Sequence, residues 1–282
     1  MNILTFDIED WFHILDNEDT KGVNQWKSFD SRVEIGLEKI FDILQECNVS
    51  ATFFVLGWIA EKYPWIVKKI NDRNYEIGSH THYHQLIYSQ NKKIFHNDVE
   101  KSIKILQDLT GKKVKYFRAP GFSLVNSTLW AFEVLSELNI EIDCSIFPSN
   151  RAHGGFPNFK ESVPSVINYK NHRIKEMPIN KSSFFGREYI YSGGGYFRFF
   201  PYWLIKKNTK KAKYVMTYFH PRDFDSEQPM APGLSIVRKF KSYVGINGCE
   251  KKLIRWINDF DFIDISEANK IIDWNKSPSI NL

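Results

Sequence analysis

With 282 residues, 43% hydrophobic and 25% charged, the chain has an ordinary globular balance and enough length to bury a sizeable core. Its net charge of +5 is mild. The one basic cluster, Lys206 to Lys213, reads as a solvated face ahead of a site for an acidic glycan or a lipid head group, and no nucleic-acid partner is expected. Cys47, Cys144 and Cys249 are scattered and odd in number, which excludes a disulfide framework or a cysteine-based zinc site and suits reduced thiols.

The chain enters a buried strand over 2–6 at once. No basic region followed by an apolar run precedes it, and no stretch reaches the length of a membrane span. A cytoplasmic protein without a signal peptide is therefore expected. Asp7, Glu9 and Asp10 follow at the strand's C-terminal end, a functional position in α/β folds. Residues 32–45 read as a helix, with Ile35, Leu37, Ile40, Phe41 and Leu44 recurring at near-helical period. A β-rich run at 51–56, a helix over 58–70 and a short strand at 75–78 come next. Then follow a helix over 96–110 ended by Gly111, a strand from 115 into a turn, a helix over 127–138 and a strand over 140–144. This alternation predicts parallel strands with crossover helices. Residues 147–164, with Gly154-Gly155 and three prolines, read as a long ordered loop. Further on come strands at 175–178 and 213–220, a helix over 249–260 and a last strand over 262–265. The glycine-rich run 191–198 lacks the Lys-Ser/Thr of a phosphate-binding loop, so no nucleotide site is expected there. One domain is expected over 1–282, with a C-terminal extension from about residue 225.

The stretch Ile77-Gly-Ser-His80-Thr-His82-Tyr-His84 packs three of the chain's eight histidines into five residues. His80 and His84, four apart on a helical turn, would point to one side, and His82 elsewhere. Catalytic zinc takes three protein ligands and keeps one position open, so an acidic third ligand is sought. Strand ends supply Asp7, Glu9, Asp10, Arg118, Asp143 and His220. Together these are parts for metal-assisted hydrolysis: ligands for an ion, a carboxylate base and an imidazole acid.

Seven segments carry a resemblance. They are Thr5-Phe-Asp-Ile-Glu-Asp-Trp-Phe, Ala51-Thr-Phe-Phe-Val-Leu-Gly-Trp, Glu76-Ile-Gly-Ser-His-Thr-His-Tyr-His, Tyr116-Phe-Arg-Ala-Pro-Gly-Phe-Ser, Ile142-Asp-Cys-Ser-Ile-Phe-Pro, Ser192-Gly-Gly-Gly-Tyr-Phe-Arg and Tyr218-Phe-His-Pro-Arg. In this order they resemble the polysaccharide deacetylases of the NodB-homology type, carbohydrate esterase family 4. Within that family they resemble the intracellular branch found with exopolysaccharide and O-antigen gene clusters. The resemblance implies a single α/β domain, a distorted (β/α) barrel, that removes an N-acetyl group from an amino-sugar unit of a surface-glycan precursor, nucleotide-linked or lipid-linked. It implies Asp7 as the base that deprotonates the attacking water and His80 and His84 as metal ligands. Arg118 would hold the base, His220 would be the general acid, and Asp143 would orient or charge that histidine. The Gly121 N–H would be an oxyanion donor, and Trp11, Phe122 and Tyr196 either line a sugar groove or pack the core. Where the common pattern has two adjacent aspartates, this chain has Asp7-Ile-Glu9-Asp10, so the third ligand is Asp10 or Glu9, with Asp10 slightly favoured as the shorter acid. His82 falls on a variable position and is expected at the surface or behind the ligands. Nothing in the pattern requires His13. Zinc suits such ligands, and cobalt or nickel could bind the same set. Two alternatives stand beside this: hydrolysis of another, cyclic or small, amide on the same fold, and a glycan-binding protein without catalysis.

Overall fold

A computed structural model describes residues 1–149, 154–159, 161–184 and 187–282. The chain forms two compact units, each built from two separated stretches: Met1–Ala51 with Ser182–Asp264, and Thr52–Lys181 with Ile265–Leu282.

In the first unit the strand Asn2–Ile3 is central. It runs parallel to Val215–Met216 on one side and Phe262–Ile263 on the other. The chain stays extended through Thr5–Ile8, where Phe6 bridges Phe219 and the Asp7 N–H donates to the Phe219 carbonyl at 2.7 Å. Residues 3–13 are all buried, so the strand reads as a continuous run rather than an alternation, as a strand covered on both faces must. Tyr218, the neighbour of Phe219, bridges Gly193. A Cβ at Gly193 would lie 2.1 Å from the Tyr218 carbonyl oxygen, so the start of the glycine run is fixed by close backbone approach. The helix Val33–Glu46 buries Val33, Leu37, Ile40, Phe41 and Leu44, as its period demands, whereas Ile35 is exposed. Its Gly36 lies against Pro221, where a Cβ would come within 2.1 Å of the carbonyl oxygen. Trp256, on the helix Cys249–Asp259, is fully buried and stacks on Phe197 with centroids 5.1 Å apart.

The second unit is a mainly parallel sheet. Its strands lie in the order Ser279–Asn281, Ser165–Tyr169, His172–Glu176, Ile142–Asp143, Tyr116–Phe117, Glu76–Ser79 and Thr52–Val55. Only the hairpin Ser165–Tyr169/His172–Glu176 is antiparallel. The expected α/β architecture is therefore present, but among the described residues no barrel closes within either unit. The helix Lys92–Thr110 starts four residues before its expected position, because the Asn91 side chain accepts from the Ile94 N–H and caps it. It ends at Gly111, φ +69°, as expected. The helix expected over 58–70 is two, Gly57–Lys62 and Pro64–Asp72. Tyr63, preceding a proline, leaves the helical region.

The expected last strand, 262–265, shortens to Phe262–Ile263, and the helix Ile265–Ile271 and the strand Ser279–Asn281 follow it. Of the loop expected over 147–164, residues 150–153 and 160 lie outside the described residues. No helix among the described residues is long and apolar enough to cross a membrane.

Candidate active site

Asp7 lies in the strand Thr5–Ile8 and Glu9 just past its end, where its N–H donates to the Asp7 carbonyl at 3.0 Å; both are buried. His220 ends the chain's run beside that strand, where Pro221 turns it away. One oxygen or nitrogen from each of Asp7, Glu9 and His220 lies within 4.8 Å of the other two. His220 Nε2 is 4.0 Å from Asp7 Oδ2 and 3.9 Å from Glu9 Oε1. Its other ring nitrogen, Nδ1, is 3.2 Å from Asp223 Oδ2, an oxygen that also accepts the His220 backbone N–H at 2.9 Å.

Asp223 in turn is paired with buried Arg198, Nε to Oδ1 2.9 Å, a charge contact whose N–H is not aimed along it. The Arg198 Nη groups donate to the carbonyls of Val244 and Ser242, at 2.8 and 3.0 Å. Burial would raise the Asp223 carboxyl, but Arg198 and the His220 hydrogen bond outweigh it and hold it at about 2. For His220 burial works against the charged ring, yet Asp223, Glu9 and Asp7 together raise its pKa above the ordinary value.

Asp10 faces elsewhere. Its carboxylate accepts from Trp11 N–H at 2.9 Å, from Arg32 N–H at 3.1 and 3.2 Å, and from the Ser31 hydroxyl. Both oxygens thus hold the chain just before the helix Val33–Glu46. His13 Nδ1 accepts the Asp10 N–H at 2.9 Å, and its ring meets Trp26 edge-on. Trp11 is buried against Phe12 and Phe29 and donates to the Asp30 carbonyl, so it packs the core. Tyr196 is exposed.

In the second unit His80 and His84 meet with ring centroids 5.3 Å apart. No helical turn brings them together. They follow the strand Glu76–Ser79 on a tight loop with Thr81 at φ +63° and His84 at φ +54°. That loop is held from outside. Buried Asp98 accepts the N–H groups of His82 and Tyr83 at 3.2 and 2.9 Å, and the carbonyls of Thr81 and His82 accept from Gly57 and Trp58. Burial raises the Asp98 carboxyl to about 6 against the pull of those N–H groups. His82 is fully buried, not at the surface. Its ring nitrogen lies 3.2 Å from Glu61 without an aligned hydrogen bond, and burial first, then Lys101, lower its pKa to about 4.

His80 Nδ1 lies 2.7 Å from the Arg118 carbonyl oxygen. A carbonyl only accepts, so Nδ1 carries the proton and Nε2 keeps its lone pair. That is the orientation a metal-bound imidazole needs, and it fits the expected ligand role.

Arg118 is fully buried; Nε donates to the Cys144 carbonyl at 3.3 Å, and the guanidinium lies 4.3 Å above the Phe54 ring. Gly121 adopts φ +59°, which suits glycine in the turn Pro120–Phe122. Phe122 is buried 5.5 Å from Phe147, core rather than groove.

Asp143 departs from its expected role. Its carboxyl accepts the Ser145 hydroxyl at 2.5 Å and pairs with buried Glu176, whose Oε1 accepts the Ile146 N–H. Burial, and for Glu176 the charge of Asp143 as well, raises both carboxyls, Asp143 to about 6. The His220 ring nitrogen expected to meet Asp143 is taken instead by Asp223.

Asp223, Arg198, Asp98 and Glu176 thus stand in these arrangements without having been read from the sequence. Asp223 had a signal: His-Pro-x-Asp places an acid three residues after the histidine, at capping distance across a proline turn.

Residues 18–141 match the family model described as polysaccharide deacetylase, and residues 144–270 match one described as a domain of unknown function (DUF3473). The first stretch holds His80, His84 and Arg118 but begins after Asp7 and Glu9; His220, Asp223 and Arg198 fall in the second. The chain is 43% identical over 96 residues to a peptidoglycan-N-acetylglucosamine deacetylase of Bacillus cereus, 34% of this chain and 35% of the relative. It is 26% identical over 102 residues to the peptidoglycan-N-acetylmuramic acid deacetylase PdaA of Bacillus subtilis, 36% of this chain and 39% of the relative. The chain thus matches well under half the length of these relatives. Its fold is similar to a protein from Mycobacterium smegmatis described as a polysaccharide deacetylase, with a TM-score of 0.67 and 16% identity over 100% of this chain and 92% of that one. It is also similar to a peptidoglycan N-acetylglucosamine deacetylase structure, with a TM-score of 0.52 and 19% identity over 99% and 90%.

Proposed function

We propose that this chain, which carries a polysaccharide deacetylase domain, hydrolyses the N-acetyl group of an amino-sugar unit in a surface-glycan precursor. The observation that carries this reading is His220, with one ring nitrogen on Asp223 and the other facing the carboxylates of Asp7 and Glu9. A binding protein needs no such acid and base side by side.

Asp7 takes the proton of the attacking water. His220, charged and steadied by Asp223, gives its Nε2 proton to the leaving amine. By the resemblance, the Gly121 N–H would donate to the oxygen that gains charge at the acetyl carbon, and Arg118 would hold the base carboxylate. By the resemblance, His80 and His84 would hold a divalent ion with Glu9 or Asp10 as the acidic third ligand, and zinc suits two imidazoles and a carboxylate, with cobalt or nickel as substitutes. When bound, such an ion polarises the acetyl carbonyl and acidifies water. Tyr196 remains the candidate for stacking on a sugar ring. The substrate is a nucleotide-linked or lipid-linked intermediate, met in the cytoplasm.

The test is acetate release by the zinc-loaded chain from N-acetylhexosamine carried on a nucleotide, a lipid and a polymer, beside a panel of cyclic amides. Release from the linked sugars, abolished in Asp7→Asn and His220→Ala, is the expected result. Release from polymer alone would remove the precursor, release from cyclic amides alone would remove the deacetylase, and full activity of Asp7→Asn would remove the mechanism.

A further inference from the structure

The helix Ile236–Tyr243 buries none of its residues. Its apolar side chains face solvent, Ile236 87% exposed, Val237 62% and Phe240 55%. Positions i, i+1 and i+4 share one side of a helix, so the three form a single face. Polar groups anchor the helix. The Arg238 guanidinium donates to the carbonyls of Leu15 and Asp16, and the Tyr243 hydroxyl accepts from the Ala231 N–H. The carbonyls of Ser242 and Val244 accept from Arg198. The helix is thus mounted with its apolar face outward, the reverse of an ordinary surface helix. Phe199, 56% exposed, meets Phe240 edge-on at 6.2 Å and extends the face.

The charges on the helix itself, Arg238, Lys239 and Lys241, are all positive. No Asp or Glu occurs over 189–222 or over 230–249, while Lys206, Lys207, Lys210, Lys211, Lys213, Lys239 and Lys241 do. Lys206 pairs with Asp259, whereas among the described residues no acid pairs with Lys239 or Lys241. On the helix Tyr202–Lys211, exposed Trp203 shares a side with Lys207 and Lys210, at i+4 and i+7.

We propose that this face docks on an anionic lipid surface, with Ile236, Val237, Phe240 and Phe199 in the head-group layer and the lysines against lipid phosphates. Apolar side chains flanked by unpaired lysines are what an interfacial helix presents. A second copy is the poorer occupant, because a two-fold contact would set Lys239 and Lys241 against lysines of the same face. The proposal rests on this surface alone and stands apart from the deacetylase reading.

The experiment is flotation of the full chain with vesicles of phosphatidylcholine, alone and mixed with phosphatidylglycerol. Flotation with the mixed vesicles, weakened by salt, is expected. The double variant Ile236→Ser/Phe240→Ser should lower partition about a hundredfold, and Lys239→Glu/Lys241→Glu at least about tenfold. Both should keep the wild-type melting temperature and the turnover of a water-soluble acetylated sugar. Absence of flotation, or flotation unchanged in either variant, overturns the proposal. So does a wild-type dimer that Phe240→Ser dissolves, which would make the face a contact between copies.

Discussion

Asp223 Oδ2 takes both the backbone N–H of His220, at 2.9 Å, and its ring nitrogen Nδ1, at 3.2 Å. One oxygen therefore fixes where the histidine's chain turns and which ring nitrogen stays turned toward Asp7 and Glu9. The raised pKa of His220 keeps its acid form to higher pH than an ordinary imidazole. Asp223→Asn removes that charge. The alkaline limb of the kcat/KM profile should move to lower pH, with KM nearly unchanged.

The same carboxylate contributes to stability. Its folded pKa, about 2, lies below the ordinary 3.8, so its contribution is present above pH 3.8 and is lost as pH falls through about 2. The shift corresponds to about 2 kcal/mol. Arg198→Ala leaves the buried carboxylate uncompensated and should cost about 3–5 kcal/mol at neutral pH, measured by denaturant unfolding.

Glu9 and Asp10 should separate cleanly. Glu9→Gln should lose the bound ion with the melting temperature little changed. Asp10→Asn should keep the ion and lose about 1–3 kcal/mol, because Arg32, Ser31 and Trp11 lose their acceptor. Metal analysis beside thermal melting reads both. An ion retained by Glu9→Gln would return the ligand role to Asp10.

Asp98 holds the histidine loop at the cost of its own ionisation. With a folded pKa near 6 against 3.8 ordinarily, it contributes stability below pH 3.8 that is lost as pH rises through about 6. The loss is about 3 kcal/mol. Asp98→Asn should therefore lose less stability than wild type between about pH 4 and about pH 7. The pair Asp143–Glu176 runs in the same direction: both carboxyls are raised, so stability falls as pH rises, and Glu176→Gln should flatten the alkaline side of the melting profile.

Chelation should stop acetate release, and added zinc should restore it. The His80→Ala chain should fold yet fail to take up the ion, as metal analysis would report.

The strands and long helices are legible because their signals are local: a β-prone run for Ile3 to Phe6, a helical period for Leu37 to Leu44, Gly111 as a stop. The histidine loop was legible as chemistry and misread as geometry, since left-handed Thr81 and His84 carry no propensity signal and depend on Asp98, fourteen residues past His84. Asp10 and Glu9 could not be separated from sequence, because Asp10 is claimed by Ser31 and Arg32, twenty-one and twenty-two residues away. The partner of His220 was the reverse case. The resemblance implies Asp143, far along the chain, whereas the structure places Asp223, three residues on, against its ring and backbone N–H.

The strand Asn2–Ile3 is flanked by Val215–Met216 and Phe262–Ile263, so its neighbours are made last. At ribosomal speeds of about 5–20 residues per second, this strand waits on the order of tens of seconds for its first edge partner, Val215–Met216. During that wait an apolar segment with bare edges is exposed to pairing with any other extended chain. The strand that leads into Asp7 and Glu9 is thus completed late in synthesis. Yields of mutants in the first strand should depend on chaperone supply before they depend on folded stability.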